Sequence, residues 1–407
     1  MPASDGTATA TRETAGRAAG LLGQDELRRV VSRLAAIPRG SASPGERRAA
    51  EALADELRRH GARVRLEAER AHGTYWWPIG ILAAIGLVAA LRRSRLTALA
   101  AAGATVAAAD DVTGGRQWFR RVLPYRDTTN VVAEVGEEDA PLTVVLVAHV
   151  DAAHSGIVFH PEVPRAIGRR FPKLLERTNT TPPTMWGAVA GPALAAAGGL
   201  LRVRFLRRVG GVLSAGYLAA MVDIGARGVV PGANDNATGC AVLVSLASAL
   251  GREPIPGVRT ILLATGSEES FMEGMQAFGR RHFPELPRER TMFVCLDTVG
   301  SPRLLVLEGE GMLRVRPYPP DLRELLVRCA EELGIDTVPH LKFHNATDGL
   351  IPLIHGYGTA MIGSVDEFKT PTNYHWPTDV PENVDYRSVA DAARLSLALL
   401  ERLARGG

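Results

Sequence analysis

The chain has 407 residues, with 47 Lys and Arg against 44 Asp and Glu and a formal net charge of +3. That balance excludes a strongly basic nucleic-acid binder, and 46% hydrophobic residues with 22% charged exclude a disordered chain. Three cysteines, Cys240, Cys295 and Cys329, are too few and too scattered for a disulfide framework.

Residues 1–23 lack the apolar core of a signal peptide and read as a flexible tail ahead of a body at 24–405. The body opens with helical periodicity over Gln24 to Ile37. A second helix follows Ser43, which forms a capping box with Glu46, with Pro44 at the first helical position and Gly61 at the end. Ala62 to Ala68, Thr128 to Val135 and Leu142 to Val150 read as strands; the last is β-branched almost throughout, as suits a strand buried on both faces. A helix over Asn236 to Leu250, strands at Val258 to Ala264 and Met292 to Asp297, a helix over Asp321 to Leu333, a strand at Thr359 to Gly363 and a helix over Tyr386 to Leu403 complete the pattern. Glu308-Gly-Glu-Gly311 reads as a turn between strands. Such alternation predicts a three-layer α/β sandwich around a mixed, mainly parallel sheet.

Two apolar inserts interrupt it, at 72–125 and 159–230. In the first, Tyr75 to Leu91 is followed by Arg92, Arg93 and Arg95 and a second apolar run from Leu96 to Ala109. In the other, Met185 to Leu201 leads through Arg202, Arg204, Arg207 and Arg208 to Val209 to Val222. Each reads as a helical hairpin with an Arg-rich tip.

Five short segments carry candidate chemistry, most of them at strand ends. His149-Val150-Asp151 ends a buried strand; it is either a buried polar pair or a metal ligand with the carboxylate that fixes its tautomer. In Gly232-Ala-Asn-Asp-Asn-Ala-Thr-Gly239, Asp235 or Asn236 could simply cap the following helix. Glu268 and Glu269 follow a strand at the sheet end where open α/β sheets bind ligands, so one can hold a metal while the other moves protons. Asp297 closes an apolar strand and needs a partner there. His375, in Asn373-Tyr-His-Trp-Pro-Thr-Asp379, gains meaning only from this company. Together they offer two His and three carboxylates plus a spare Glu, a set whose charge suits two divalent cations.

The ordered set His-x-Asp, Gly-Ala-x-Asp-Asn-x-Thr-Gly, Glu-Glu, Asp, Tyr-His resembles the co-catalytic zinc aminopeptidase family, whose relatives include glutamate carboxypeptidase and the transferrin-receptor ectodomain. The resemblance spans about 25–70, 128–158 and 231–405. It implies two Zn²⁺, with His149 and Asp297 on one, Glu269 and His375 on the other, and Asp235 bridging them. Glu268 would be the general base and acid, and Asp151 would orient His149. It further implies a peptide or amino-acyl substrate and an aminopeptidase-type exopeptidase. A carboxypeptidase or amidohydrolase acting on N-acylated amino acids, a glutaminyl-cyclase-like acyl transfer and a non-catalytic scaffold stay open. Thr347-Asp348 looks like the family's Ser/Thr-Asp segment and carries no assigned role.

The inserts divide between a membrane anchor and a lid. Seventeen residues from Tyr75 to Leu91 make about 26 Å of helix against a hydrocarbon core of about 30 Å. Trp76, Trp77 and Trp186 sit where an aromatic belt would lie, and Asp110, Asp111 and Asp223 mark the ends opposite the arginines. This asymmetry favours membrane association through 75–109 and 185–222, with cytoplasmic tips and an extracytoplasmic body. The alternative is a cytoplasmic protein with the hairpins as lid or dimer contact; oligomeric state is not legible.

Overall fold

The computed structural model describes residues 16–406. Residues 1–15 of the expected tail lie outside them, but its end is part of the body. Arg17 Nε donates to Glu401 at 2.9 Å, and Leu22 is buried in the core.

The chain builds helices α1 (Gln24–Ala35) and α2 (Pro44–Arg59), strand β1 (Arg63–Ala71), then α3 (Trp76–Arg92) and α4 (Arg95–Val112) of the first insert. Strands β2 (Arg126–Val135) and β3 (Leu142–His149) precede the second insert, which holds α5 (Glu162–Arg170), α6 (Pro172–Arg177), α7 (Trp186–Leu200) and α8 (Arg204–Ala226). The remainder is α9 (Thr238–Arg252), β4 (Val258–Thr265), α10 (Glu273–His282), β5 (Thr291–Leu296), β6 (Arg303–Val306), β7 (Gly309–Glu310), β8 (Arg316–Pro317), α11 (Pro320–Glu332), β9 (Thr337–Val338), β10 (Lys342–Phe343), α12 (Leu350–Ile354), β11 (Gly358–Val365) and α13 (Tyr386–Ala404).

Eight strands form one mixed sheet in the order β1-β2-β4-β3-β5-β11-β6-β9, with β4, β3, β5 and β11 mutually parallel. The period-2 alternation of strand side chains splits the core in two. Val144, Leu146 and Ala148 of β3 face a cluster with α1, α2, α9, α11 and α13, whereas Val145 and Val147 face α10 and α12. That is the expected sandwich. A small sheet of β10-β7-β8 lies apart, so Glu310, read as part of a turn, stands on a buried strand.

Both hairpins root in the second core, where Tyr75, Ile79, Met221 and Ile224 join Val145 and Val147. Above it α3, α4, α7 and α8 pack together as a bundle. Small residues line its inside. A Cβ on Gly210 would lie 2.3 Å from the Ala195 nitrogen, and one on Gly86 would lie 2.5 Å from Ser214 Oγ, so only glycine permits these approaches. Large apolar residues face outward instead: Leu96 is 77% exposed and Phe205 72%. The 23-residue α8 is long and apolar enough to cross a membrane; α3 and α7 are apolar but shorter. Arg204, Arg207 and Arg208, expected in the bend, form the first turns of α8. Trp76, expected in an aromatic belt, is half-buried and packs against His154 with ring centres 4.4 Å apart, whereas Trp77 and Trp186 are exposed. Asp111 is buried too. Arg120 Nε donates to it at 2.6 Å, and Arg120 Nη1 lies 3.3 Å from Glu273 on α10, tying the first hairpin to the body.

Candidate metal centre

Three neighbouring parallel strands deliver the site. His149 is the last residue of β3 and pairs in register with Thr265, the last of β4; Asp297 directly follows β5. Strands lie about 4.8 Å apart, so residues leaving adjacent strand ends converge within a few ångströms. Glu268 and Glu269 arrive three and four residues past β4, Asp235 from the loop entering α9, and His375 from the loop after β11.

Asp235 stands at the centre. One of its carboxylate oxygens lies 3.1 Å from His149 Nε2 and the other 3.2 Å from His375 Nε2. His149 Nε2 is also 3.9 Å from Asp297, and His375 Nε2 is 3.2 Å from Glu269. Donor atoms of His149, Asp235 and Glu269 lie within 4.8 Å of one another. All five expected ligands therefore gather in one place, with Glu268 and Asp151 beside them.

The supporting residues explain how the loops hold. Asp151 Oδ1 lies 3.4 Å from His149 Nδ1, and its carboxylate accepts from the Glu268 and Glu269 backbone N–H groups, each at 3.1 Å, and from Ser41 Oγ at 2.6 Å. It thus clamps both glutamates, and the Asp151 backbone carbonyl lies 3.1 Å from the same imidazole nitrogen. Asp379 accepts from the N–H groups of Asn234 at 2.7 Å and Asp235 at 3.1 Å. Asn236 caps α9 by accepting from Gly239 N–H at 3.1 Å, which leaves the Asp235 carboxylate to the histidines. Only half of the expected capping box forms: Ser43 Oγ accepts from Glu46 N–H at 3.2 Å, but the Glu46 side chain does not return to Ser43. Its carboxylate turns inward and accepts from Ala42 N–H at 2.8 Å, Thr128 Oγ1 at 2.8 Å and Ser267 N–H at 2.9 Å. Ser267, Thr298 and His375 hold φ near +50°, a strained region for such residues that concentrates at functional sites.

Electrostatics fit a cation. Among the described residues no Arg or Lys pairs with Asp235, Glu268, Glu269 or Asp297; the ion-pair partners of Asp235, Glu269 and Asp297 are the two imidazoles. Burial, reinforced by Asp348, Glu269 and Asp297, pushes Glu268 well above the usual carboxylate range against the pull of His149. Asp297 is raised by burial and by Asp235. Burial opposes charge on His149, yet Asp151 and Asp235 hold it well above its ordinary value, and Glu269 and Asp235 hold His375 up to about 10. Protons are drawn in where positive charge is short. Glu269 Oε1 and His375 Nδ1 are buried without a partner, and the His-carboxylate donor set is one that zinc takes.

Residues 219–400 match the model of peptidase family M28. The resemblance carried by the motifs therefore has support across the Asp235, Glu268-Glu269, Asp297 and His375 segments. No curated protein matches the chain. Solved structures do, at fold level. A Zn-dependent exopeptidase from Parabacteroides distasonis is 14% identical, with 93% of this chain and 98% of that one covered and a TM-score of 0.54. A leucine aminopeptidase precursor from Bacteroides thetaiotaomicron is 13% identical (94% and 97% covered, TM-score 0.56). A glutaminyl cyclase from the same organism, bound to N-acetylhistamine, is 14% identical (94% and 98% covered, TM-score 0.56). The match to the family model supports a metallopeptidase-type hydrolase, and the solved structures share the mixed α/β fold.

Sequence reasoning missed Glu46, Asp348 and Asp379. Asp379 lay in a quoted segment and Asp348 in a noted one; Asp348 hydrogen-bonds Thr265 Oγ1 beneath the glutamates. The strand-end position of Thr265 was the available signal.

Proposed function

We propose that the protein is a zinc-dependent exopeptidase of the aminopeptidase type, hydrolysing a terminal amide bond by attack of water. The observation that carries this reading is the convergence of five ligand-type side chains around Asp235 with Glu268 beside them and outside the set. His149 and Asp297 would hold one zinc ion and Glu269 and His375 the other, with Asp235 as the ligand between them. When bound, the pair supplies an acidified water and polarises the scissile carbonyl.

The chain's own residues do the rest. Glu268 lines the substrate pocket, takes the proton of the attacking water, and returns it to the nitrogen of the leaving amine as the C–N bond breaks. Asp151 keeps His149 in one tautomer and holds the Glu268 backbone, so base and ligand share one anchor.

Metal analysis together with Glu268→Gln tests the reading. The variant should keep its zinc and lose about 10²–10⁴-fold in turnover of amino-acyl amides or N-acyl amino acids. Absence of zinc, or turnover equal to wild type, would remove the assignment. Cyclisation of an N-terminal glutaminyl peptide without hydrolysis would favour acyl transfer instead.

The bundle supports a second part of the proposal, that the protein is membrane-associated with Arg tips on the cytoplasmic side. Inward small residues and outward Leu and Phe match helix packing in lipid, and the tip carries Arg92, Arg93, Arg95 and Arg204. Retention in membranes after a carbonate wash is expected; release would favour a lid.

A further inference from the structure

The pocket that starts at Glu268, Glu269 and His375 does not end there. It has a volume of about 930 Å³ and extends up the bundle. That is at the upper end of the roughly 300–1,000 Å³ of small-molecule sites. One wall is a single face of α8: Leu213, Gly216, Tyr217, Ala220 and Ile224, rising from the metal centre towards Val212. From Ile224 to Val212 the helix climbs roughly 18 Å. The facing wall comes from α5, α6 and the residue between them, where Val163, Ile167, Phe171 and Leu174 line the same space and remain more than half exposed. Apolar side chains on two facing walls left this open mark a binding groove.

Of the polar groups lining the groove, His344 Nδ1 is buried without a hydrogen-bond partner, and the charged ones outside the metal centre are engaged. Its acidic residues beyond the two glutamates reduce to Asp366, which accepts from Phe368 N–H at 2.9 Å and Thr370 N–H at 3.3 Å in its own turn. Lys369 Nζ donates to the carbonyls of Leu175 and Thr178 at 2.8 and 2.7 Å, and Arg165 pairs with Glu162 at 3.2 Å. Beyond the metal centre, where Glu269 Oε1 has no partner, the described residues of the groove offer no carboxylate free to meet a substrate ammonium, and its length and lining suit an aliphatic chain.

We infer that the site takes an amide whose carbonyl side carries a long aliphatic acyl chain, an N-fatty-acyl amino acid or peptide, with the chain lying along α8. This rests on the hydrolytic part of the reading above and replaces its free-amine substrate with an N-acylated one. Water adds its hydroxyl to the acyl carbon, the C–N bond breaks, and the nitrogen gains the proton carried by Glu268, releasing a fatty acid and an amine. The α8 wall is continuous with the apolar outer face of the bundle, where Val212 is 73% exposed, so a chain held in a lipid layer meets the groove from the side.

Gly216 gives the test. A Cβ there meets nothing within 4 Å, so a larger side chain enters the groove without displacing the protein, and helix propensity favours the change. The full-length protein is assayed with N-acetyl-, N-hexanoyl- and N-decanoyl-glycine, leucine amide, and binding of dansyl-undecanoic acid. In wild type kcat/KM should climb with acyl length by up to roughly fourfold per buried methylene. Gly216→Leu should lower the decanoyl-to-acetyl ratio about tenfold and weaken the dansyl probe, with Gly216→Ala in between. Cleavage of leucine amide or the acetyl substrate with no rise along the series overturns the inference and spares the hydrolase. Probe binding that Gly216→Leu leaves unchanged overturns it as well. Probe binding that Gly216→Leu weakens, with no amide cleaved at all, upholds the groove and sinks the hydrolytic reading.

Discussion

At the sheet rim, carboxylates are buried and every loop is tied by hydrogen bonds to them; in the bundle, small residues are buried and the large apolar ones face out. Glu46, Asp151 and Asp379 each accept two or more bonds from the segments that carry Glu268, Glu269 and Asp235. The bundle core has no such network: Ala101, Ala195 and Ala89 meet there with glycines between them. Directional bonds suit a site whose ligands must stand still. Close small-residue contact suits helices whose surroundings are themselves apolar. On the membrane reading proposed above, the two regions would answer to different solvents, and the same substitution should act differently in each.

The sharpest break lies where they join. Arg120 is 1% exposed and is shared between Asp111 of the first hairpin and Glu273 of α10. Arg120→Leu leaves both carboxylates buried without their cation, at a cost of about 3–5 kcal/mol. Thermal unfolding should fall steeply, and proteolysis should begin between α4 and β2. Unchanged stability would mean that the hairpin is not fastened there. The double variant that also replaces Asp111 by Asn should recover part of the loss.

Within the bundle the contrast becomes a matter of inside against outside. Gly210→Leu forces a side chain against the Ala195 backbone and should cost about 1–3 kcal/mol or more in any medium. Leu99 is 59% exposed, so Leu99→Lys should stay within about 0.5 kcal/mol if the bundle stands in water. In lipid the same change should lower membrane insertion by about 3 kcal/mol, read from the fraction retained after alkaline extraction. Equal behaviour of Leu99→Lys and wild type in that assay would return the hairpins to the role of a lid.

The candidate segments and their strands were legible because both obey short-range rules. A β-branched run names a buried strand, and a His, Glu or Asp directly after such a run has little choice of place. Cap and ligand could not be separated by letter alone: Asp235 and Asn236 compete for one helix start, and only the fold gives the cap to Asn236. Glu46 looked complete as half of a capping box, yet its carboxylate serves Thr128 and Ser267, more than 80 residues away. Residues around 163–174 were legible only as part of an insert. Their apolar stripe acquires meaning from α8 opposite, which no local pattern contains.

The smallest effect concerns a carboxyl behind the rim. Glu310 accepts from Tyr318 Oη at 2.7 Å and Thr347 N–H at 2.9 Å, and burial pushes it from 4.5 up to about 8. Between those values the folded protein keeps a proton that the unfolded chain has released, so its contribution to stability is full below 4.5 and is lost as pH rises through about 8. Glu310→Gln keeps the shape and removes the titration. Its melting temperature, measured in chelator, should therefore decline less than wild type across that window. Glu46 and Asp379, both raised to about 7 by burial, titrate in both proteins and leave a common slope. Only the difference between the two curves belongs to Glu310. Parallel curves would mean that this carboxyl is ionised in the folded state, and that the region behind the rim, like the bundle, is not held by a buried proton.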